Sequence, residues 1–240
     1  MTKDFHPVHQ CDDGIFNTVS GIRVDLNEPT PDMIDIRDIA NSLSKICRFN
    51  GHVSHFYSVA QHSVLVCYLF AESEGGMFSL EALMHDAAEA YLGDVIKPLK
   101  VILRKTYGIL EYHFDMAIAQ KYDLERGGFV TVPIKKYDRM AVELEHEAFQ
   151  KGNMTPLMET MERLGIYFGH ANWDANLSRV LFLGCFAECN EKRLGRESQG
   201  LVSYITSKEI LDNNVEDNRV GTTGKEGIYV DREFAFRHHQ

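Results

Sequence analysis

Apolar residues recur every three or four positions through most of the sequence between residues 36 and 194. This spacing is that of an α-helix with one buried face, so the chain has to pack helices against one another. Capping residues and prolines mark the helix starts, and glycines mark several helix ends. The predicted helices span approximately residues 31–46, 57–71, 80–92, 98 onward, 109–122, 134–150, 156–164 and 175–194. The sequence therefore predicts an all-α domain.

Both ends of the chain depart from this helical pattern. Residues 14–26 place apolar and β-branched residues on both sides of Ser20-Gly21, which predicts a small β-hairpin. After residue 195, glycine, serine, asparagine and charged residues dominate the composition. We expect residues 1–195 to form one helical domain with the hairpin at its edge. Residues 196–240 are expected to form an irregular extension that acts as a lid, a partner contact or a tail.

The balance of charge limits the partners of the chain. Its 35 acidic and 25 basic residues give a formal net charge of −10, whereas nucleic-acid-binding proteins usually carry a basic stripe. A small phosphorylated substrate remains compatible with this charge, because one well-placed arginine can hold a phosphate. We therefore expect a small-molecule substrate and no nucleic acid.

The cysteines and the lengths of the apolar stretches indicate the cellular compartment that we expect for the protein. The five cysteines include no Cys-x-x-Cys pair, which favours reduced thiols over disulfides or a cysteine-rich zinc site. Cys185 and Cys189 lie one helical turn apart and are interpreted as core residues. The N-terminus has no apolar signal core, and no stretch approaches 18 uninterrupted apolar residues. These features predict a soluble cytoplasmic protein without membrane association.

Ligand-type residues interrupt three of the apolar helix faces. They are His62, the adjacent His85 and Asp86, and Asp138. A buried charge or imidazole costs several kcal/mol unless it is paired or bound to a metal. Taken singly, such a residue is more often a hydrogen-bonded core residue than a ligand. Together, two imidazoles and two carboxylates suit one divalent ion such as Co²⁺, Mn²⁺, Fe²⁺, Ni²⁺ or Zn²⁺, with coordination positions left open for chemistry.

The order of these residues resembles a known enzyme family. His62, then His85-Asp86, then Asp138 looks like the H…HD…D signature of the HD-domain metal-dependent phosphohydrolases. The similarity is closest to their 5′-deoxynucleotidase branch, which shares an arginine ahead of the first histidine, here Arg48, and the block H-D-A-x-E-x-x-x-G-D, here HDAAEAYLGD. The resemblance covers roughly residues 30–150 and includes phage-encoded nucleotide phosphatases, whose location would be the host cytoplasm.

This resemblance implies an HD-domain helical bundle, a metal centre and a reaction. His62, His85, Asp86 and Asp138 match the family's ligands for one divalent metal ion. The reaction would be hydrolysis of the 5′-phosphate of a deoxyribonucleoside monophosphate, which gives a deoxynucleoside and orthophosphate. Only His113 lies between the HD pair and Asp138, whereas binuclear HD phosphodiesterases need two histidines there. One metal ion is therefore expected. Independently of the resemblance, the apolar helices exceed what one compact layer needs, which is compatible with a homodimer.

The resemblance also implies catalytic roles for two acidic residues. Glu89 follows His85 by four residues, one helical turn away on the predicted helix, where a carboxylate can orient or deprotonate a water. Asp94 follows the helix stop at Gly93 and is expected to bind the sugar hydroxyl or assist the leaving oxygen. The alternatives are a surface ion pair for Glu89 and a helix cap for Asp94.

Three residues ahead of His62 are assigned to the substrate. The guanidinium of Arg48 suits the phosphate oxygens, although a surface arginine at a helix end is the alternative. Phe49 stands where well-known bacterial members carry tryptophan, a residue associated with selection of deoxyribose. Because an apolar wall discriminates one hydroxyl by only about 1–3 kcal/mol, this selectivity is less secure than phosphatase activity. His52 is assigned to the mouth of the site, with an ordinary surface-loop histidine as the alternative.

Two other functions remain open at the level of sequence. A dNTP triphosphohydrolase would use the same metal and release tripolyphosphate, with four basic residues available for the outer phosphates: Lys97, Lys100, Arg104 and Lys105. A catalytically silent nucleotide-binding module would keep the fold and lose the chemistry. The presence of all four ligand positions and of Glu89 favours an enzyme.

Overall fold

The computed structural model of the protein describes residues 14–74, 79–124 and 132–195, and the predicted extension at 196–240 lies outside these residues. The described chain is mostly helical with one small two-stranded sheet, which confirms the predicted fold class. The strands are β1 (Ile15–Asn17) and β2 (Arg23–Asp25). The helices are α1 (Ile36–Leu43), α2 (Val59–Ser73), α3 (Leu80–Leu83), α4 (Glu89–Leu92), α5 (Lys97–Leu103), α6 (Tyr107–Tyr122), α7 (Val132–Glu145), α8 (Thr155–Arg163) and α9 (Ala175–Arg193).

The predicted β-hairpin is present at the edge of the helices. Strands β1 and β2 are antiparallel, with Phe16 opposite Val24, and Gly21 supplies the positive φ of 85° that the connection requires. The hairpin is attached to α1 by Ser20, whose backbone N–H and hydroxyl donate to Asp38 at 3.0 and 2.6 Å. Val24 is fully buried against the helical core, so the hairpin is part of the domain.

Helix α2 lies at the centre of the fold. It begins after Ser58, whose side chain accepts a hydrogen bond from the N–H of Gln61. Most of its residues are buried, because α3, α7 and α9 all pack against it. A helix that is apolar on nearly all sides belongs in a core or a membrane. Within the described ranges, however, none of the helices combines the length and apolarity that crossing a bilayer requires.

The predicted third helix is interrupted, contrary to the sequence-based expectation. Helix α3 ends at Leu83, and α4 begins only at Glu89, with turns between them. Leucine, alanine and glutamate favour a continuous helix, but adjacent residues of a helix do not face the same point. The interruption allows the neighbours His85 and Asp86 to approach His62 together. The expectation that Glu89 lies one helical turn after His85 on one helix is therefore wrong.

Two other helix boundaries differ from the prediction. Pro31 opens only a single 3₁₀ turn, and α1 begins after Asp35, whose carboxylate accepts from the N–H of Arg37 at 2.8 Å. At the other end of the domain, α-helical hydrogen bonding in α7 stops at Glu145, and a π-helical turn follows from His146 to Gln150. Such turns often occur at functional positions, and Glu145 proves to be central to the site.

Candidate metal centre

The four predicted metal ligands converge on one point. His62 Nε2 lies 3.2 Å from His85 Nε2, 3.5 Å from Asp86 Oδ2 and 3.3 Å from Asp138 Oδ1. His85 Nε2 lies 3.2 Å from Asp86 Oδ2 and 4.0 Å from Asp138 Oδ1. These atoms are presented by α2, the α3–α4 turns and α7. His62, His85 and Asp138 form a group that could hold a metal ion, and Asp86 lies beside both histidines.

The second nitrogen of each imidazole is fixed by an acceptor. His62 Nδ1 lies 2.6 Å from Oε1 of Glu145, and His85 Nδ1 lies 2.8 Å from the carbonyl oxygen of Ala82. Because both partners are acceptors, Nδ1 carries the donated proton and Nε2 of each ring is directed toward the other ligands. Hydrogen bonds of this kind orient metal-binding histidines and raise their basicity.

Charges in the site stabilise one another against burial. The pKa of Asp86 is lowered, because His85, His62 and Arg48 together outweigh the opposing effect of burial. The pKa of Glu145 is also lowered, since Arg48 and His62 outweigh its burial. Burial and Arg48 lower the pKa of His62, but Glu145 and Asp138 outweigh them and raise it to about 9. Asp86 and Glu145 are therefore stabilised as ionised carboxylates, and a cation bound at the cluster would displace the extra proton that His62 holds.

Arg48 is part of this cluster and not a surface residue. Its side chain is only 10% exposed, and its Nε donates to Oε2 of Glu145 at 3.0 Å. Its Nη1 lies 3.5 Å from Oδ2 of Asp86. The guanidinium carbon also lies 5.4 Å from the centre of the Phe49 ring. The structure thus places the predicted phosphate-binding arginine directly beside a predicted metal ligand.

The loop after Arg48 has an unusual backbone. Phe49 and Asn50 adopt the left-handed conformation, with φ values of 55° and 57°, and Gly51 follows with 77°. This region is unfavourable for a bulky side chain, and strained residues of this kind cluster at functional sites. Phe49 is half-buried beside Arg48, whereas the side chain of His52 is exposed on the same loop. Phe49 therefore contacts a residue of the cluster, Arg48, whereas the side chain of His52 faces solvent.

Glu89 is buried beside the ligand cluster. It is 3% exposed, and its Oε1 accepts from Nζ of Lys100 at 2.9 Å. Its Oε2 is buried and has no hydrogen-bond partner among the described residues. Burial, followed by the charge of Asp86, raises the pKa of Glu89 to about 8. A surface ion pair, the alternative considered for Glu89, does not describe this environment.

Asp94 lies in the same electrostatic environment. Burial raises its pKa, with Arg48 opposing and Asp86 adding to this effect. The backbone carbonyl of the preceding Gly93 accepts from the hydroxyl of Tyr107 at 3.0 Å, which ties this loop to α6. Asp94, just after the end of α4, is therefore close enough to Arg48 and Asp86 for both charges to affect its pKa.

Glu145 was not singled out by the sequence, although it joins two of the predicted site residues. Its carboxylate is fully buried and contacts both His62 and Arg48. One signal was available: Glu145 follows Asp138 by seven residues, or two helical turns, so both lie on the same face of α7. An acidic residue in an amphipathic helix is usually exposed, so the spacing alone does not identify Glu145 as a site residue.

A second group of ligand-type side chains lies in the core. The sulfurs of Cys67, Cys185 and Cys189 lie within 4.8 Å of one another, and all three residues are fully buried. Three thiolates around a divalent ion would carry a net negative charge inside an apolar core, which is costly. The cluster agrees with the interpretation of Cys185 and Cys189 as core residues, and the fold adds Cys67 to them.

Two curated relatives match this chain. The uncharacterized protein YfdR of Escherichia coli (strain K12) is 42% identical over 144 residues, which are 59% of this chain and 77% of YfdR. An uncharacterized protein of Rhodobacter capsulatus is 39% identical over 138 residues, which are 54% of this chain and 69% of that protein. No protein-family model matches the chain. These similarities establish kinship and name no reaction.

Proposed function

This chain belongs to the same family as YfdR of Escherichia coli, and from the geometry of its candidate metal centre we propose that it is a metal-dependent phosphohydrolase. The proposed reaction is removal of the 5′-phosphate from a deoxyribonucleoside monophosphate, giving a deoxynucleoside and orthophosphate. One observation carries this proposal. The Nε2 atoms of His62 and His85 lie within 4.0 Å of each other and of carboxylate oxygens of both Asp86 and Asp138. Arg48 lies 3.5 Å from Asp86.

The proposed metal is one divalent transition ion such as Co²⁺ or Mn²⁺. When bound, such an ion acidifies a water molecule and polarises a phosphoryl oxygen. Mixed imidazole and carboxylate ligands suit several ions of this class, and the choice in the cell depends on availability. His113, the single histidine between the HD pair and Asp138, is exposed on α6, which supports one metal ion in preference to two.

The remaining residues have roles that follow from their surroundings. Arg48 has five N–H donors and uses Nε–H on Glu145, so its terminal amino groups serve Asp86 and the non-bridging phosphate oxygens. In its ionised form, which its raised pKa of about 8 favours on the alkaline side of neutrality, Glu89 accepts the proton of the attacking water at Oε2, the oxygen that lacks a partner among the described residues. Asp94 contacts the sugar hydroxyl or the leaving oxygen. Phe49 forms an apolar wall for the sugar.

The surroundings of Lys100 favour a monophosphate over a triphosphate. Of the four basic residues that could hold outer phosphates, Lys100 is occupied by two carboxylates. The side chains of Lys97, Arg104 and Lys105 are exposed to solvent. A triphosphohydrolase needs positive charge directed into the site to bind the β- and γ-phosphates, and Lys100, the partly buried member of these four, is already paired with Glu89 and Glu111.

Product analysis tests the proposal. Metal-free protein is restored with Co²⁺ or Mn²⁺ and incubated separately with dAMP, AMP and dATP. We expect orthophosphate from dAMP, less from AMP, and loss of activity in His85→Ala but not in His55→Ala, which alters an exposed histidine of the loop before α2. Tripolyphosphate from dATP with dAMP untouched would overturn the substrate. Inactivity on all three nucleotides would leave a nucleotide-binding module.

A further inference from the structure

We propose that Lys100 is a positioning residue for hydrolysis, which holds one oxygen of Glu89 so that the other oxygen is presented to the attacking water. This inference rests on the proposed function and adds a residue to it. In the family resemblance, Lys100 had no role beyond a possible contact with outer phosphates. The contacts of its ammonium group lead to a different assignment.

Lys100 connects three consecutive helices. It lies on α5, and its Nζ donates to Oε1 of Glu89 on α4 at 2.9 Å and to Oε1 of Glu111 on α6 at 2.8 Å. The side chain of Lys100 is 29% exposed, whereas that of Glu89 is 4% exposed. A partly buried ammonium with two carboxylate partners has little freedom to move, so it fixes the rotation of the Glu89 carboxylate.

With the rotation of the carboxylate fixed, the two oxygens of Glu89 have different environments and different proposed roles. Oε1 is occupied by Lys100, while Oε2 is buried and has no partner among the described residues. A buried acceptor without a hydrogen bond costs about 1–3 kcal/mol. Other buried oxygens of the described residues, such as Tyr57 Oη and Ser63 Oγ, also lack a partner. What distinguishes Glu89 is that its second oxygen is fixed by Lys100, so that in the proposed reaction Oε2 is the oxygen left to accept from a water molecule.

Lys100 also determines whether Glu89 can accept a proton. The charged and titratable groups that interact with Glu89 include Arg48, Asp86, Asp94, Lys100 and Tyr107, and Glu111 shares the ammonium group of Lys100 with it. Burial, Asp86 and Asp94 favour the protonated acid, and Lys100 opposes them through its charge and its hydrogen bond. Loss of Lys100 would leave Glu89 protonated over a wider range of pH, and a protonated carboxylic acid cannot act as a base.

Two roles for Lys100 predict different kinetic effects. A lysine that bound substrate phosphate would contribute to affinity, and its removal would mainly raise KM. A lysine that positions Glu89 acts on the chemical step, so its removal would mainly lower kcat. The existing bonds to Glu89 and Glu111 favour the second role, because the single positive charge of Lys100 already faces two negative charges.

The experiment compares Lys100→Met and Lys100→Arg with Lys97→Met, which alters an exposed lysine at the start of the same helix. We expect Lys100→Met to lower kcat for dAMP by at least about tenfold near neutral pH, with KM changed by less than about threefold and metal content unchanged. The acidic limb of the kcat profile should move to higher pH, so that the loss is smaller in alkali. Lys100→Arg should recover part of the activity, and Lys97→Met should match the wild type.

A second variant keeps the inference testable if Lys100→Met folds poorly. Glu111→Gln leaves the Lys100–Glu89 pair in place and removes the competing carboxylate, so the acidic limb should move to lower pH with kcat retained. An increase in KM with unchanged kcat in Lys100→Met, or a shift to higher pH in Glu111→Gln, would overturn the inference. An inactive wild type would instead refute the proposed function, so the two failures are distinguishable.

Discussion

Replacement of Glu145 by glutamine is expected to weaken both the fold and metal binding. Glu145 is fully buried and supplies one oxygen to His62 at 2.6 Å and the other to Arg48 at 3.0 Å. Glutamine has nearly the same shape but no charge, and its amide nitrogen cannot accept a hydrogen bond. One of the two partners therefore loses its acceptor, and Arg48 keeps a buried charge with less compensation.

The size of the effect follows from these two contacts. Removal of one partner from a buried ion pair costs about 3–5 kcal/mol of unfolding free energy. Loss of an outer partner of a metal-binding histidine typically lowers metal affinity about 10–100-fold. Because the pKa of Glu145 is lowered in the folded protein, its contribution is present above its unfolded pKa of 4.5. The difference between wild type and variant should shrink as the pH falls below that value.

Two measurements separate the effects. Urea unfolding in the presence of a chelator reports the fold alone, and titration with Co²⁺ followed by absorption reports metal affinity. Glu143→Gln is the matched control, because Glu143 lies two residues earlier on α7 and is exposed. Equal unfolding midpoints for Glu145→Gln and Glu143→Gln near neutral pH would refute the argument, as would equal Co²⁺ affinities.

Three further predictions concern other parts of the site. Glu89→Gln should lower kcat at least about tenfold with metal retained. Because Glu89 keeps its proton in the folded protein up to a pKa of about 8 and loses it near 4.5 when unfolded, the wild type loses stability as the pH rises through this window. In urea unfolding of metal-free protein, the variant should therefore gain on the wild type by about 1.4 kcal/mol per pH unit. His85→Ala should abolish stoichiometric metal binding in elemental analysis, whereas His113→Ala should retain it. Asn50→Val should lower the unfolding free energy by about 1–2 kcal/mol in thermal denaturation, and Asn50→Gly should not, since Asn50 is exposed with a φ of 57°.

Most helices could be predicted from the sequence because their periodicity is strong and their caps are local. Ser58 and Asp174 precede α2 and α9, and each accepts a hydrogen bond from an N–H of the first turn. The interruption around His85 could not be predicted in this way. Its local sequence favours a helix, and the reason for the interruption lies in contacts with His62 on another helix.

Only those residues of the candidate site that occupy positions of the sequence motif could be predicted. The four predicted ligands and Arg48 occupy motif positions, and the structure brings them together. Glu145 occupies no position of that motif, and a glutamate in an amphipathic helix looks like a surface residue until the packing is known. The same limit applies to Lys100, whose two acidic partners lie eleven residues away on either side.

The bonds of Glu145 also bear on how the protein responds to a bound ion. They join residues 83 and 97 positions apart in the chain, so the ligand cluster exists only when α2, α7 and the loop before α2 are assembled together. Amide hydrogen exchange in these distant segments should therefore slow by the same factor when an ion binds, because opening of any one of them releases the ion. A bound ion would thus make separate stretches of the chain a single cooperative unit.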